Sequence, residues 1–144
     1  MSRRIYVIGS LRNPNIPKFA KRLRDRGHYV FDDWFSAGEH ADDSWRDYEK
    51  ARGRSYAEAL NSAPAINVFR FDEKNLHGCD TVVLLMPAGK SGHLELGYSI
   101  GRGAEGFILF DGEPERWDVM YRFCKGVYFN EHDLFVRLAL PWGL

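Results

Sequence analysis

Two carboxylates and one hydroxyl-bearing loop are the groups in this chain best suited to chemistry. Glu95 stands in the run Lys90-Ser91-Gly92-His93-Leu94-Glu95-Leu96-Gly97-Tyr98, directly after the apolar stretch Asp-Thr-Val-Val-Leu-Leu-Met-Pro at 80–87. That stretch reads as a buried strand ending at a proline, and the run after it predicts a helix over 93–102. Glu95 is therefore expected in the first turn of a helix just beyond the C-terminal end of a strand, the edge at which open α/β sheets bind ligands. A helix dipole there favours the ionised carboxylate, which suits a nucleophile. An ordinary glutamate at a helix start only steadies its helix, so the neighbouring residues have to separate the two readings.

Gly9-Ser10-Leu11-Arg12-Asn13 lies between a first strand, Ile5-Tyr6-Val7-Ile8-Gly9, and a first helix. The glycine permits a tight turn, Ser10 offers a hydroxyl, and the following helix points free N–H groups outward. Arg12 adds a charge-assisted bond to an anion. A generic strand-to-helix turn looks much the same. The spaced glycines of a dinucleotide fingerprint and the Gly-Lys-Ser/Thr of a P-loop are both missing, and no cofactor is expected. Ser91 either caps the Glu95 helix or presents its hydroxyl to a phosphate, with Gly92 leaving room beside it. His93 either braces the structure or bonds a ligand. Asp33 and Trp34 follow the second strand, where an indole beside carboxylates suits a flat heterocycle as well as it suits an aromatic plug.

Asp80 is the second carboxylate. It caps the third strand as a turn residue, or it holds or protonates a leaving group. Because it precedes that strand, and about six residues of strand span roughly 20 Å, direct contact with Glu95 is not expected. The five histidines are scattered without helical pairing, so no metal site is expected. Nothing supports a Ser-His-Asp triad.

The elements that must position these groups alternate along the chain. Strands are predicted at 5–9, 28–31, 81–86, 106–110 and 127–129. Helices are predicted at 15–26, 117–123 and 131–140, beside the one carrying Glu95. Residues 65–76 read as a helix in which 67–71 alternatively runs extended. The polar, aromatic segment 35–62, partly helical at 45–49 and 56–60, is too long for a simple connector and is expected to carry function. Strands alternating with helices predict one α/β domain over 1–144, a Rossmann-like or flavodoxin-like three-layer sandwich on a mostly parallel five-stranded sheet. The strand ends at Gly9, Asp32 and Pro87 then line one edge.

Bulk properties narrow the partners. The chain has 144 residues with 20 basic and 20 acidic side chains, so no basic field awaits a nucleic-acid polymer. No apolar run approaches a membrane span, and Met-Ser-Arg-Arg leads straight into a strand, which predicts a cytoplasmic protein. Cys79 and Cys124 are expected as reduced thiols.

Taken together, Ile5-Tyr6-Val7-Ile8-Gly9-Ser10-Leu11-Arg12 and Ser91-Gly92-His93-Leu94-Glu95-Leu96-Gly97-Tyr98 resemble the nucleoside 2-deoxyribosyltransferase family, and most nearly its branch of nucleoside 5′-monophosphate N-glycosidases. The likeness covers most of the chain in matching order. It implies Glu95 as the nucleophile at the anomeric carbon and Asp80 as the aspartate that handles the base. Ser10, Arg12 and Ser91 then match positions serving a 5′-phosphate. Family members acting on free nucleosides carry an aspartate about six residues before the nucleophile, where this chain has Gly89, which shifts the expected substrate toward nucleotides. The resemblance also implies a homodimer or larger assembly. A transferase for free nucleosides, a non-catalytic nucleotide sensor on the same fold and a glycohydrolase of a dinucleotide such as NAD remain as alternatives.

Overall fold

The computed structural model describes residues 2–144. Five strands, β1 (Arg4–Ile8), β2 (Tyr29–Phe31), β3 (Thr81–Leu85), β4 (Glu105–Leu109) and β5 (Gly126–Tyr128), form one sheet in the order β2-β1-β3-β4-β5. Every pairing is parallel. Parallel strands need crossovers, and the sequence supplies helices for most of them: α1 (Ile16–Asp25), α2 (Ala41–Ala51), α3 (Tyr56–Leu60), α4 (Ala63–His77), α5 (Lys90–Gly101) and α6 (Glu131–Leu138). This is the flavodoxin-like order, with its switch point between β1 and β3.

Strand residues alternate between two core layers because successive Cβ atoms leave opposite faces of a sheet. Ile5 and Val7 of β1 face one layer with Ile16, Phe19 and Leu23 of α1 and Leu134 and Leu138 of α6. Tyr6 and Ile8 face the other, with Leu76 of α4 and Leu96 of α5. β3 and β4 are buried along their whole length, as central strands covered on both sides must be.

Helix boundaries follow local chemistry. Apolar Ile16, Phe19, Ala20 and Leu23 recur at helical spacing in α1, and Gly27 beyond its end takes φ +92°, a conformation that favours glycine. Ser55 and Glu58 form a reciprocal capping box that starts α3. Residues 67–71, open between helix and strand in the sequence, lie inside the continuous helix α4, which has a proline in its first turn. Their strand-favouring aromatics lose to that start signal, and Phe69 and Phe71 project outward, each at least half exposed. The helix carrying Glu95 begins at Lys90, three residues before the expected start, with Gly92 kept in the helix where it packs closely on the sheet. The expected helix over 117–123 is a 3₁₀ turn at Val119–Phe123, opened by the Asp118 carboxylate accepting the Met120 amide at 2.8 Å. Both cysteines are free thiols, Cys79 buried and Cys124 half-buried. No helix among the described residues is long and apolar enough to cross a membrane.

Candidate active site

Glu95 lies in the second turn of α5, not the first as expected, because the helix starts early. The change alters its electrostatics. Instead of sitting at the positive helix end, the carboxylate is carried down over the face of the sheet, where burial raises its pKa to about 7. The neighbouring Tyr6 hydroxyl of β1 favours the ionised carboxylate and partly offsets that rise, and the charge of Asp72 on α4 adds to it. Asp72 is itself half-buried, and burial lifts its pKa to about 6. Tyr6 is fully buried, with its hydroxyl held far above the usual range by burial and then by Glu95. Three elements thus bring together a tyrosine donor and two carboxyl groups that ionise reluctantly. Both groups change charge near neutrality, so one can act as a carboxylate while the other acts as an acid.

Close packing fixes Glu95 to this spot. A Cβ on Gly92 would approach Ile8 Cγ2 and Leu84 Cδ1 to 3.1 Å each, so glycine lets α5 lie this near β1 and β3 without either side shifting. Leu96, beside Glu95, is buried between helix and sheet.

Above this trio, at the β1/β3 switch point, the loops after the two strands form an open cleft of about 340 Å³ lined by Ser10, Arg12, Asn13, Pro14, Pro87, Ala88 and Gly89. Gly9 turns the chain where a Cβ would sit 2.5 Å from Ile16 Cδ1. The Ser10 hydroxyl accepts the Arg12 amide at 3.1 Å and the Ser10 carbonyl accepts the Asn13 amide at 3.0 Å, a compact turn that leaves Leu11 half-buried and Arg12 exposed. The Arg12 guanidinium lies 3.8 Å from Asp43 of α2, a loose surface pair. The first turn of α5 opens onto this cleft through Gly89. Ser91 is exposed there and does not cap the helix, whose N-cap is Gly89. Glu95 does not line the cleft; five residues of helix, a rise of about 7.5 Å, separate it from Lys90.

The remaining expected site residues are placed elsewhere or already bonded. Asp80 is at the N-terminal edge of the sheet, opposite the cleft. Its carboxylate accepts the Thr81 hydroxyl at 2.8 Å and the Arg4 amide at 3.3 Å, and its carbonyl accepts the Trp142 indole N–H at 3.1 Å. The structure therefore does not bring Asp80 to Glu95; Asp72 is the carboxyl group beside it. His93 bridges the Gly89 carbonyl (2.8 Å) and the Tyr121 hydroxyl (2.9 Å), bracing the start of α5 against the segment after β4. Trp34 donates its indole N–H to the Val7 carbonyl at 2.8 Å and packs on both core layers, while Asp33 beside it is exposed. The sequence reading passed over Tyr6 and Asp72. A tyrosine at a strand position facing the core needs a hydroxyl partner, and Asp72 lies four residues before buried Leu76 on the same helix face; these were the available signals.

A doubly wound parallel sheet with a cleft at its switch point is the arrangement in which open α/β folds commonly bind ligands. Among solved structures the chain is similar to a 2-deoxyribosyltransferase from the psychrotolerant bacterium Bacillus psychrosaccharolyticus, described as a biocatalyst for the industrial synthesis of antiviral and antitumoral nucleosides. The TM-score is 0.61 at 16% identity, over 99% of this chain and 93% of that one, a likeness of fold. No protein-family model matches the chain. No curated protein matches it either.

Proposed function

We propose that this protein breaks the N-glycosidic bond of a nucleoside 5′-monophosphate, releasing the base to water or exchanging it, with Glu95 as the nucleophile. The observation that carries the reading is half-buried Glu95 on α5, its pKa raised to about 7, with fully buried Tyr6 and half-buried Asp72 as its neighbours beside the switch-point cleft. Glu95 attacks the anomeric carbon as the carbon–nitrogen bond breaks, and the departing electron pair goes to the base. Asp72 supplies the proton that the base needs, the role that the family resemblance had given to Asp80. Tyr6 steadies the ionised form of Glu95. Water, deprotonated by Asp72, then opens the glycosyl ester, or a second base takes its place.

Ser10, Arg12, Ser91 and the free amides at the start of α5 suit a 5′-phosphate. Their position above Glu95 supports a nucleotide over a free nucleoside. The fold neighbour is named as a 2-deoxyribosyltransferase, which supports base exchange on nucleosides as the second reading. A homodimer is part of the proposal: Val68 and Phe69 of α4, Leu94 of α5, and Trp117, Val119 and Phe123 after β4 are all more than 60% exposed apolar side chains, flanking the face on which Glu95 lies.

The test is chromatography of base release from a panel of ribo- and deoxyribonucleoside 5′-monophosphates, free nucleosides and NAD, with and without an acceptor base. Glu95-dependent release from a monophosphate is expected. Release from nucleosides alone would favour the transferase, and binding without any release would favour a sensor.

A further inference from the structure

A second groove of about 370 Å³ adjoins the cleft and shares Asn13 and Pro87 with it. It runs from those shared residues along the ends of β3 and β4 to the loop after β5, on the α1 and α6 side of the sheet. Glu95 lies on the α4 and α5 side. Neither the leaving base nor an acceptor base bound next to Glu95 reaches this groove, because the sheet edge intervenes. A group attached beyond the 5′-phosphate does reach it, since the two hollows join at the loop carrying Ser10 and Arg12.

The chemistry of the groove selects what that group is. Phe110 and Phe129 stack at 5.5 Å with their planes 17° apart, and Phe129 is half exposed, leaving a ring face for a flat heterocycle. The Asp111 carboxylate and Asn15 carboxamide have no side-chain partner among the described residues, and they suit the hydroxyls of a ribose. The groove's one arginine, Arg22, is spent on the Glu131 carboxylate, with Nε at 2.8 Å from Oε2. Among the described residues that leaves no free cation lining the groove for a second phosphate cluster, and Asp111 and Glu131 would repel one. A stacked ring, a diol-binding carboxylate and no spare positive charge fit a nucleoside.

We propose that this groove holds the distal ribonucleoside of a dinucleoside 5′,5′-pyrophosphate whose linkage lies at Ser10 and Arg12. The preferred substrate class is then a dinucleotide, and the bond cleaved is still the N-glycosidic bond beside Glu95. The proposal rests on the reading of the Ser10–Arg12 loop as the phosphate site.

Calorimetric titration of the Glu95→Gln protein separates binding from turnover. The probes are the four common nucleoside 5′-monophosphates, their symmetric dinucleoside pyrophosphates and NAD. At least one dinucleotide is expected to bind tenfold or more tightly than its monophosphate. Phe129→Ala, and independently the exposed-site variant Asn15→Ala, should remove that gain while leaving monophosphate affinity unchanged. Equal affinity for dinucleotide and monophosphate overturns the proposal, as does a loss that falls on both alike or an absence of nucleotide binding. Tighter dinucleotide binding by a wild-type protein that releases no base keeps the groove assignment and removes the glycosidase reading instead.

Discussion

At the scale of single residues, the account turns on where one proton resides. Burial holds Glu95 near 7 and Asp72 near 6, so from about pH 6 to 7 the two carry about one proton between them, mostly on Glu95. Turnover draws on the minority form, with the proton on Asp72 and the charge on Glu95. kcat/KM should therefore follow a bell with its maximum in that interval, falling below it as both groups protonate and above it as both ionise. The Tyr6 hydroxyl lowers the pKa of Glu95, the higher of the two, so Tyr6→Phe should move the alkaline limb to higher pH as well as slow the reaction; pH–rate profiles of the two proteins check this. The same burial costs stability. A carboxyl group whose pKa is raised on folding weakens the fold as pH climbs from its unfolded value through its folded one, here from 4.5 to about 7. Glu95→Gln should accordingly be more stable than wild type at pH 8, by ~1–3 kcal/mol, with the difference vanishing below about pH 4.5 in denaturant titrations. Glu95 was legible in the sequence because an apolar strand and a Gly-His-Leu-Glu-Leu-Gly run bracket it. Its acid partner was not, because Asp72 meets it only through the packing of α4 against α5, a long-range relation that no local pattern encodes.

At the scale of elements, α5 is the part that aims the chemistry. Its position is set by Gly92, against which Ile8 and Leu84 would meet a Cβ at 3.1 Å. Gly92→Ala gains about 1 kcal/mol of helix propensity and loses a comparable amount to the crowded contact, so its melting temperature should change little. The helix must shift by a few tenths of an ångström and carries Glu95 with it, so kcat/KM should fall by about tenfold or more. Calorimetry and kinetics on the same preparation separate the two effects. Most elements were readable from periodicity and punctuation: Gly27 shortly after α1 and Pro87 shortly after β3 stand beside boundaries. The start of α5 was misjudged because glycine argues against helix in isolation, whereas here a close approach to the sheet requires it. α4 was ambiguous because Val68, Phe69 and Phe71 favour strands, and their exposure shows that local strand preference lost to the helix start before them.

At the scale of the whole molecule, the two ends of the sheet do different work. The C-terminal edge is open and carries both grooves. The N-terminal edge is closed by Arg3, fully buried, which donates to Glu105 at 2.8 Å, Thr81 at 3.0 Å and the carbonyls of Leu138 and Leu140 at 2.9 Å each. Glu105 in turn accepts the Gly143 amide at 3.1 Å, so the network ties the chain's last residues under the sheet. Arg3→Met would leave the buried Glu105 carboxylate only half-exposed Lys125 at 3.3 Å and the Gly143 amide, and should cost about 2–4 kcal/mol, roughly a 10 °C drop in melting temperature, with pH–rate behaviour unchanged. Asp80 belongs to this closed end, which explains how a residue matched by family pattern lies outside the site. The division of labour rests on one claim, that Glu95 forms a bond to the sugar. Incubation with 2′-fluoro-substituted nucleoside 5′-monophosphates, whose fluorine slows hydrolysis of a glycosyl ester, followed by intact-mass and peptide mass spectrometry, tests it directly. The account predicts a protein heavier by one fluorinated sugar phosphate, with the added mass on the peptide containing Glu95 and absent from Glu95→Gln. Base release with no adduct, or an adduct on another residue, would contradict it.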